Sequence, residues 1–174
     1  DTLASLLWIE HATDTERIQT DAAHVLYGRD YINEELNGFR YRIWHDTFFQ
    51  ANPVQAEKLV ELALEMADVN KDMRVLDLFC GVGTFSLPLA KNSKELAGIE
   101  IVENSILSAR RNAVDNGLDN TYFMVSDARK GLVELKETWG QPDMLLPDPP
   151  RRGAGGKEKG SMSPNVSCKV GYGM

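Results

Sequence analysis

Cysteine is scarce in this chain: Cys80 and Cys168 are the two among 174 residues. Two thiols so far apart form neither a disulfide framework nor a metal-spaced cluster, so a reducing cytoplasm is the expected compartment. Histidine is equally thin. His11, His24 and His45 are scattered without ligand spacing, and no metal site is expected. No apolar run approaches the ~20 residues that cross a bilayer and no leader pattern opens the sequence, so no membrane partner is expected. Positive charge is also in deficit, with 19 Lys+Arg against 26 Asp+Glu and a net charge of −7. Nucleic-acid binders ordinarily show a basic face. Any affinity for phosphate must therefore come from local basic groups or from protein outside this sequence.

What is present suffices for one core of moderate size, since 43% of the residues are hydrophobic. No internal repeat is visible. Three regions separate by pattern. Residues 1–50 hold short strand-like segments, with turn signals at Tyr27-Gly28-Arg29-Asp30 and Asn37-Gly38. In that region Phe39 to Trp44 alternates as a half-buried strand does. Residues 51–152 open with Asn52-Pro53, a cap and first-turn proline for a helix through about Ala67. Strands and helices then alternate, including a helix from about Glu103 to Asn116 with a Gly117 stop. This rhythm predicts a parallel, doubly wound α/β sheet. Residues 153–174, rich in glycine, serine and lysine, read as a flexible or divergent tail. Such a sheet needs further strands, so it is expected to be incomplete at the C-terminus.

The densest signal is VLDLFCGVGTFSLPLA, from Val75 to Ala90. It predicts a strand of strand-length apolar character broken by Asp77, then a turn through Gly81 and Gly83, then an amphipathic helix. Two glycines permit a tight turn and let a ligand approach the main chain. The N–H groups of the helix start then face that ligand. Asp77 falls near the carboxyl end of the strand, where open α/β sheets bind ligands. A dinucleotide fingerprint would need a third glycine, and Ser86 stands there; a phosphate loop would need a lysine that is absent. An acidic residue ahead of the glycines suits a ligand with a cationic end. S-adenosylmethionine, with its ammonium, sulfonium and ribose diol, fits; an ordinary strand–turn–helix of an α/β core is the alternative.

Three further strand ends carry acids. Glu100 closes LAGIE, where a carboxylate grips ribose hydroxyls, unless it is only a surface carboxylate. Asp127 follows TYFMV and is placed to accept from an adenine amino group, or to cap the next helix; the two roles are compatible. Asp148 follows the strand Met144 to Pro147 and begins Asp148-Pro149-Pro150-Arg151-Arg152-Gly153.

In combination, DTFFQANPVQAEKL, DLFCGVGTFSLPLA, GIE, RRNAVDNG and LLPDPPRRG resemble the RNA uracil-5-methyltransferases that act on ribosomal or transfer RNA. The likeness covers about residues 27–153 in the expected order. It implies a Rossmann-like methyltransferase fold with S-adenosyl-L-methionine as cofactor and RNA as partner. Arg151 after the second proline favours this family over relatives that methylate exocyclic amines, which carry an aromatic there. The resemblance places Gln50 between cofactor and target base and Phe79 and Thr84 on the cofactor with Gly81 and Gly83. It puts Glu100 and Asp127 on ribose and adenine, and Asp148 where cofactor and uracil meet. Read from the residues alone, Phe48 and Phe49 are placed to stack a flipped uracil, unless one of them only packs the helix entry, and Arg151 and Arg152 to contact phosphate or base, unless they are a solvated loop pair.

The family's chemistry is covalent. A cysteine thiolate adds to uracil C6 and activates C5, and a base later removes the C5 proton. Its cysteine lies in V-S-C-N-P, whereas Val166-Ser167-Cys168 continues here as Lys169-Val170. Cys168 thus has two readings, the nucleophile or a residue of a diverged tail. Cys80, inside the glycine turn, reads as small packing. No chain after Met174 supplies the expected glutamate base, so the chain reads as a central piece of an enzyme. The alternatives are methyl transfer to another RNA position, such as cytosine C5 or an exocyclic amine, and a SAM-binding fragment without turnover. The particular RNA and the oligomeric state are not legible.

Overall fold

The computed structural model describes residues 3–10, 22–50 and 52–147, and the backbone of Ser167 and Cys168. Two antiparallel hairpins come first. Strands β1 (Ser5–Glu10) and β2 (Ala22–Gly28) pair with each other, and β3 (Tyr31–Leu36) pairs with β4 (Phe39–Trp44). The second hairpin closes through Asn37 and Gly38, both at positive φ (50° and 77°), as a two-residue turn of matching twist requires. Its alternation is realised: Phe39, Tyr41 and Ile43 are buried, while Arg40 is exposed. β1 and β2 show almost no buried side chain. They carry no period-2 burial signal and stand as strands through pairing with each other.

The main sheet follows. Helix α1 (Pro53–Ala67) starts on the Asn52 cap, whose side chain accepts from Gln55 N–H, and ends at Asp68 in a left-handed conformation. Then come β5 (Arg74–Leu78), α2 (Ser86–Asn92), β6 (Glu95–Glu100), α3 (Glu103–Asp115), β7 (Thr121–Val125), α4 (Ala128–Thr138) and β8 (Met144–Pro147). A two-residue β9 (Ser167–Cys168) joins the edge. The order is β7-β6-β5-β8-β9, parallel throughout. The chain runs outward from β5 to β7 and then returns to the other side of β5. The strand order reverses between β5 and β8, and open α/β sheets bind ligands outside the carboxyl ends at such a point.

Alternate strand residues feed two cores. Val75, Leu96, Phe123 and Met144 share one with Leu87, Ile106 and Ala109 from the helices; Leu76, Ala97, Met124 and Leu145 share the other with Leu135 of α4. Leu36, Phe39, Tyr41 and Ile43 of the second hairpin belong to the first core. The second hairpin thus shares one packed core with residues of α1, α2 and α3. Helix α2 differs from expectation. Ser86 to Ala90 are all buried and only Lys91 and Asn92 at its end are exposed, so no solvent stripe runs along it. Among the described residues no helix is long and apolar enough to cross a membrane.

Candidate functional site

The carboxyl rim of β5, β6 and β7 is built around the glycine turn. Phe79 N–H (2.8 Å) and Cys80 N–H (3.1 Å) both donate to Ile99 O, which binds the start of the turn to β6. Phe79 has φ 65°, and Gly81 and Gly83 follow at 52° and 91°. A side chain in the left-handed region costs on the order of 1–3 kcal/mol, and such residues persist where the surroundings over-determine them. A Cβ added to Gly81 would meet no atom within 4 Å, whereas at Gly83 it would meet Leu87 Cδ1 at 2.6 Å. Gly81 thus leaves main chain open for approach, and Gly83 lets α2 close on the turn.

Glu100 is held by three main-chain donors: Ile101 N–H (2.8 Å) and Val102 N–H (3.0 Å) on Oε1, and Gly81 N–H (3.4 Å) on Oε2. One carboxylate thereby joins the glycine turn to the start of α3. A carboxylate has about four acceptor sites, so Oε2 retains room for a hydroxyl. Ser126 N–H donates to Glu100 O at 3.0 Å and brings the β7 exit beside it. Asp127, exposed, caps α4: its Oδ1 accepts from Arg129 N–H (3.0 Å) and Lys130 N–H (3.5 Å). Its Oδ2 makes no hydrogen bond to the described residues, so capping and ligand contact are compatible there.

Asp77 is turned inward. It is 1% exposed and accepts a 2.5 Å bond from Ser86 Oγ, the short distance of a charge-assisted O–H···O⁻ contact. It therefore ties the end of β5 to the first residue of α2. Thr84, also buried, receives the Tyr41 hydroxyl on its carbonyl at 3.2 Å, and burial holds the Tyr41 phenol well above its usual range. Cys80 Sγ lies over Gly98, where an added Cβ would stand 2.9 Å away. Burial pushes the Cys80 thiol up, and the charges of Asp77 and Glu100 push it further. It stays a thiol at neutral pH, in keeping with a packing residue.

Gln50 and Phe49 are half-buried where the chain leaves β4 for α1. The Phe49 ring packs on Tyr41 at 5.6 Å, while Phe48 is 74% exposed, so the aromatic open to solvent here is Phe48. Asp148, Arg151 and Arg152 lie outside the described residues, as does the Cys168 side chain. The Cys168 backbone sits opposite Leu145, two residues before β8 ends at Pro147. At roughly 3.3 Å per residue that register leaves it about 7 Å short of the rim.

Sequence reasoning missed the supports. Asn112 is fully buried: its Oδ1 accepts from Arg42 N–H (2.8 Å), and its Nδ2 donates to Val82 O (3.2 Å) and Arg42 O (3.4 Å). It joins β4, α3 and the glycine turn. Asn116 repeats the grip one turn on, with Arg40 N–H (2.9 Å) and Arg40 O (2.7 Å). The available signal was an asparagine pair four apart on the face that otherwise presents Ser105, Ser108 and Ala109.

A model of the family tRNA (uracil-5-)-methyltransferase matches residues 16–134. The chain belongs to that family. An uncharacterized RNA methyltransferase of Caldanaerobacter subterraneus subsp. tengcongensis is 37% identical over 156 residues, covering 90% of this chain and 34% of the relative. One from Oceanobacillus iheyensis is 42% identical over 129 residues, or 74% of this chain and 28% of the relative. The chain spans about a third of the length of these curated relatives. Among solved structures, the Pyrococcus abyssi tRNA (uracil-54, C5)-methyltransferase in complex with S-adenosyl-L-homocysteine superposes with a TM-score of 0.67 at 30% identity. That match covers 88% of this chain and 36% of the other. The family membership and the Rossmann-like methyltransferase fold expected from the motifs are thus established.

Proposed function

We propose that this chain binds S-adenosyl-L-methionine at the rim of β5, β6 and β7, and that the protein of which it is part methylates C5 of a uridine in ribosomal or transfer RNA, in the cytoplasm. The observation that carries the reading is the left-handed run through Phe79, Gly81 and Gly83, tied by Gly81 N–H to the Glu100 carboxylate. The donor set suits this cofactor. Glu100 Oε2 and Asp127 Oδ2 offer acceptors to a ribose diol and an adenine amine, and Gly81 offers bare main chain. Two carboxylates at the rim and a third beneath it suit a cationic ligand. Bound, the cofactor supplies an electrophilic methyl on a sulfonium.

The chain's own residues then have distinct tasks. Glu100 and Asp127 orient the nucleoside, Asp77 stiffens the turn through Ser86, and Gln50 and Asp148 border the target base. Arg151 contacts the RNA. In the covalent route a cysteine thiolate bonds to uracil C6 and the ring electrons move to C5, which takes the methyl. A base then removes the C5 proton, and the C6–S bond breaks to return the thiolate. Cys80 is buried as a neutral thiol and is unsuited to that role; the likeness of Val166-Ser167-Cys168 to the family's cysteine motif supports Cys168 for it. The register of Cys168 against Leu145 favours a second reading, cofactor binding without turnover by this chain.

Labelled methyl transfer to unmodified RNA, digested to nucleosides, separates the two. Label in 5-methyluridine supports the first, and label in another nucleoside replaces it with a different methyl acceptor. No label, with calorimetric binding of the cofactor intact, supports the second. An absence of cofactor binding overturns both. Glu100→Ala is expected to weaken cofactor binding tenfold or more, by roughly the 1.4 kcal/mol of one hydrogen-bonding group, and Asp77→Ala to weaken it to a similar extent by loosening the turn tied to Ser86. Cys168→Ala should leave it within about twofold, and equal losses in all three would contradict these roles.

A further inference from the structure

The outer face of the β3–β4 hairpin is absorbed by neither the core nor the rim. Tyr31 and Trp44 are paired across the strands, with ring centroids 5.5 Å apart and planes tilted by 47°. Two guanidinium groups, Arg29 and Arg42, each lie 5.1 Å from the Tyr31 ring centroid. Trp44 Nε1 donates to Asp30 at 3.3 Å, and Arg29 Nε donates to Tyr31 O at 3.1 Å. Both bonds fix the loop between the hairpins against these rings. Arg42 shares Asp115 with Arg111, at 2.9 and 3.2 Å, so one carboxylate serves two cations. In a chain of net charge −7, this is a concentration of arginine beside half-buried aromatics.

The face is rigid and aimed. Its underside is the buried row Phe39, Tyr41 and Ile43, and its free edge is held by Asn112 and Asn116. β4 runs alongside α3 from Asn116 toward Asn104, whose amide donates to Asp46 just beyond the strand. The Trp44 end therefore points to the start of α3, where Glu100 lies, and the chain continues from there to Gln50. Single-stranded nucleic acid is held by aromatic planes flanked by cations, and arginine adds stacking of its own.

We propose that Tyr31 and Trp44, with Arg29 and Arg42 beside them, form a stacking platform for a single-stranded segment of the RNA flanking the reacting nucleotide. This rests on the RNA reading above. The test is fluorescence anisotropy of the full chain with a labelled single-stranded RNA about 12 nucleotides long, at two salt concentrations, alongside calorimetry of S-adenosylhomocysteine. Stacking worth ~1–3 kcal/mol per base predicts that Tyr31→Leu/Trp44→Leu lowers RNA affinity at least fivefold while S-adenosylhomocysteine affinity stays within twofold. Arg29→Gln should lower it about threefold and flatten the salt dependence by about one phosphate contact. Trp44→Phe, which loses the bond to Asp30 but keeps a ring, should bind RNA nearly as the unaltered chain does. Undiminished RNA affinity in the double variant overturns the platform and leaves the RNA reading standing. An unaltered chain that binds S-adenosylhomocysteine but no RNA overturns both.

Discussion

The two hairpins at the front of this chain are similar in length and rich in apolar residues, yet they stand differently in the molecule. In β1–β2, Leu6, Trp8, Leu26 and Tyr27 are each about half exposed or more, and the strands hold chiefly to each other. In β3–β4, Leu36, Phe39, Tyr41 and Ile43 enter the main core, and the outer edge is gripped by a helix. The difference is one of pattern. FRYRIW alternates from Phe39 to Ile43, so it has an inside and an outside, and Trp44 falls on the outside. SLLWIE places large apolar groups on consecutive positions, and one face cannot bury them all. Apolar content makes a strand; alternation attaches it to a core.

The sharpest way to break the comparison is to truncate one tyrosine in each hairpin. Tyr41→Ala removes a fully buried ring and the bond to Thr84, and is expected to destabilise by about 3–5 kcal/mol in chemical denaturation. Tyr27→Ala, at a position 59% exposed, should change stability by no more than about 0.5 kcal/mol. A comparable loss at Tyr27 would mean that the first hairpin is as integrated as the second. Next in size is Asn112→Ala. It leaves Arg42 N–H and Val82 O buried without their partner, for a loss of about 1–3 kcal/mol. Because Val82 lies inside the glycine turn, the same variant should weaken S-adenosylhomocysteine binding, read by calorimetry. Unchanged affinity with lowered stability would confine Asn112 to holding the hairpin.

The smallest effect concerns Cys80 and pH. Its folded-state pKa is raised, so the thiol contributes stability below the unfolded value of about 8.5, and that contribution is lost as pH rises above it. Melting temperature should therefore fall more steeply above about pH 8.5 in the unaltered chain than in Cys80→Ala. Matching slopes would show that the turn opens to solvent.

Much of the main sheet was legible because its signals are local. Asn52-Pro53, Gly117 and Asp127 are caps, and they sit where α1 begins, α3 stops and α4 begins. The apolar runs of β5 to β8 are short enough to be strands. The glycine turn and Glu100 were readable for the same reason, since spacing along the chain sets their geometry. The inward turn of Asp77 was not, because it depends on a serine nine residues on that packs back against it. The burial of Ser86 to Ala90 in α2 depends on what covers them. Asn112 was invisible for a third reason: its partners are 30 and 70 residues away, and no local pattern announces a helix bonding to a strand edge.

That last contact has a geometric basis in the two rises involved. Four residues of α-helix advance about 6 Å and two residues of strand advance about 6.6 Å. Asparagines at 112 and 116 therefore meet Arg42 and Arg40 in step, as the next strand of a sheet would. Helix α3 acts as a ruler laid along β4. It ends the hairpin's growth at that edge, and it measures the register of β4 against the turn that begins after β5. A slip of one residue in the strand would leave both amides facing the wrong groups, so the placement of Gln50 is counted from the same marks that fix Val82.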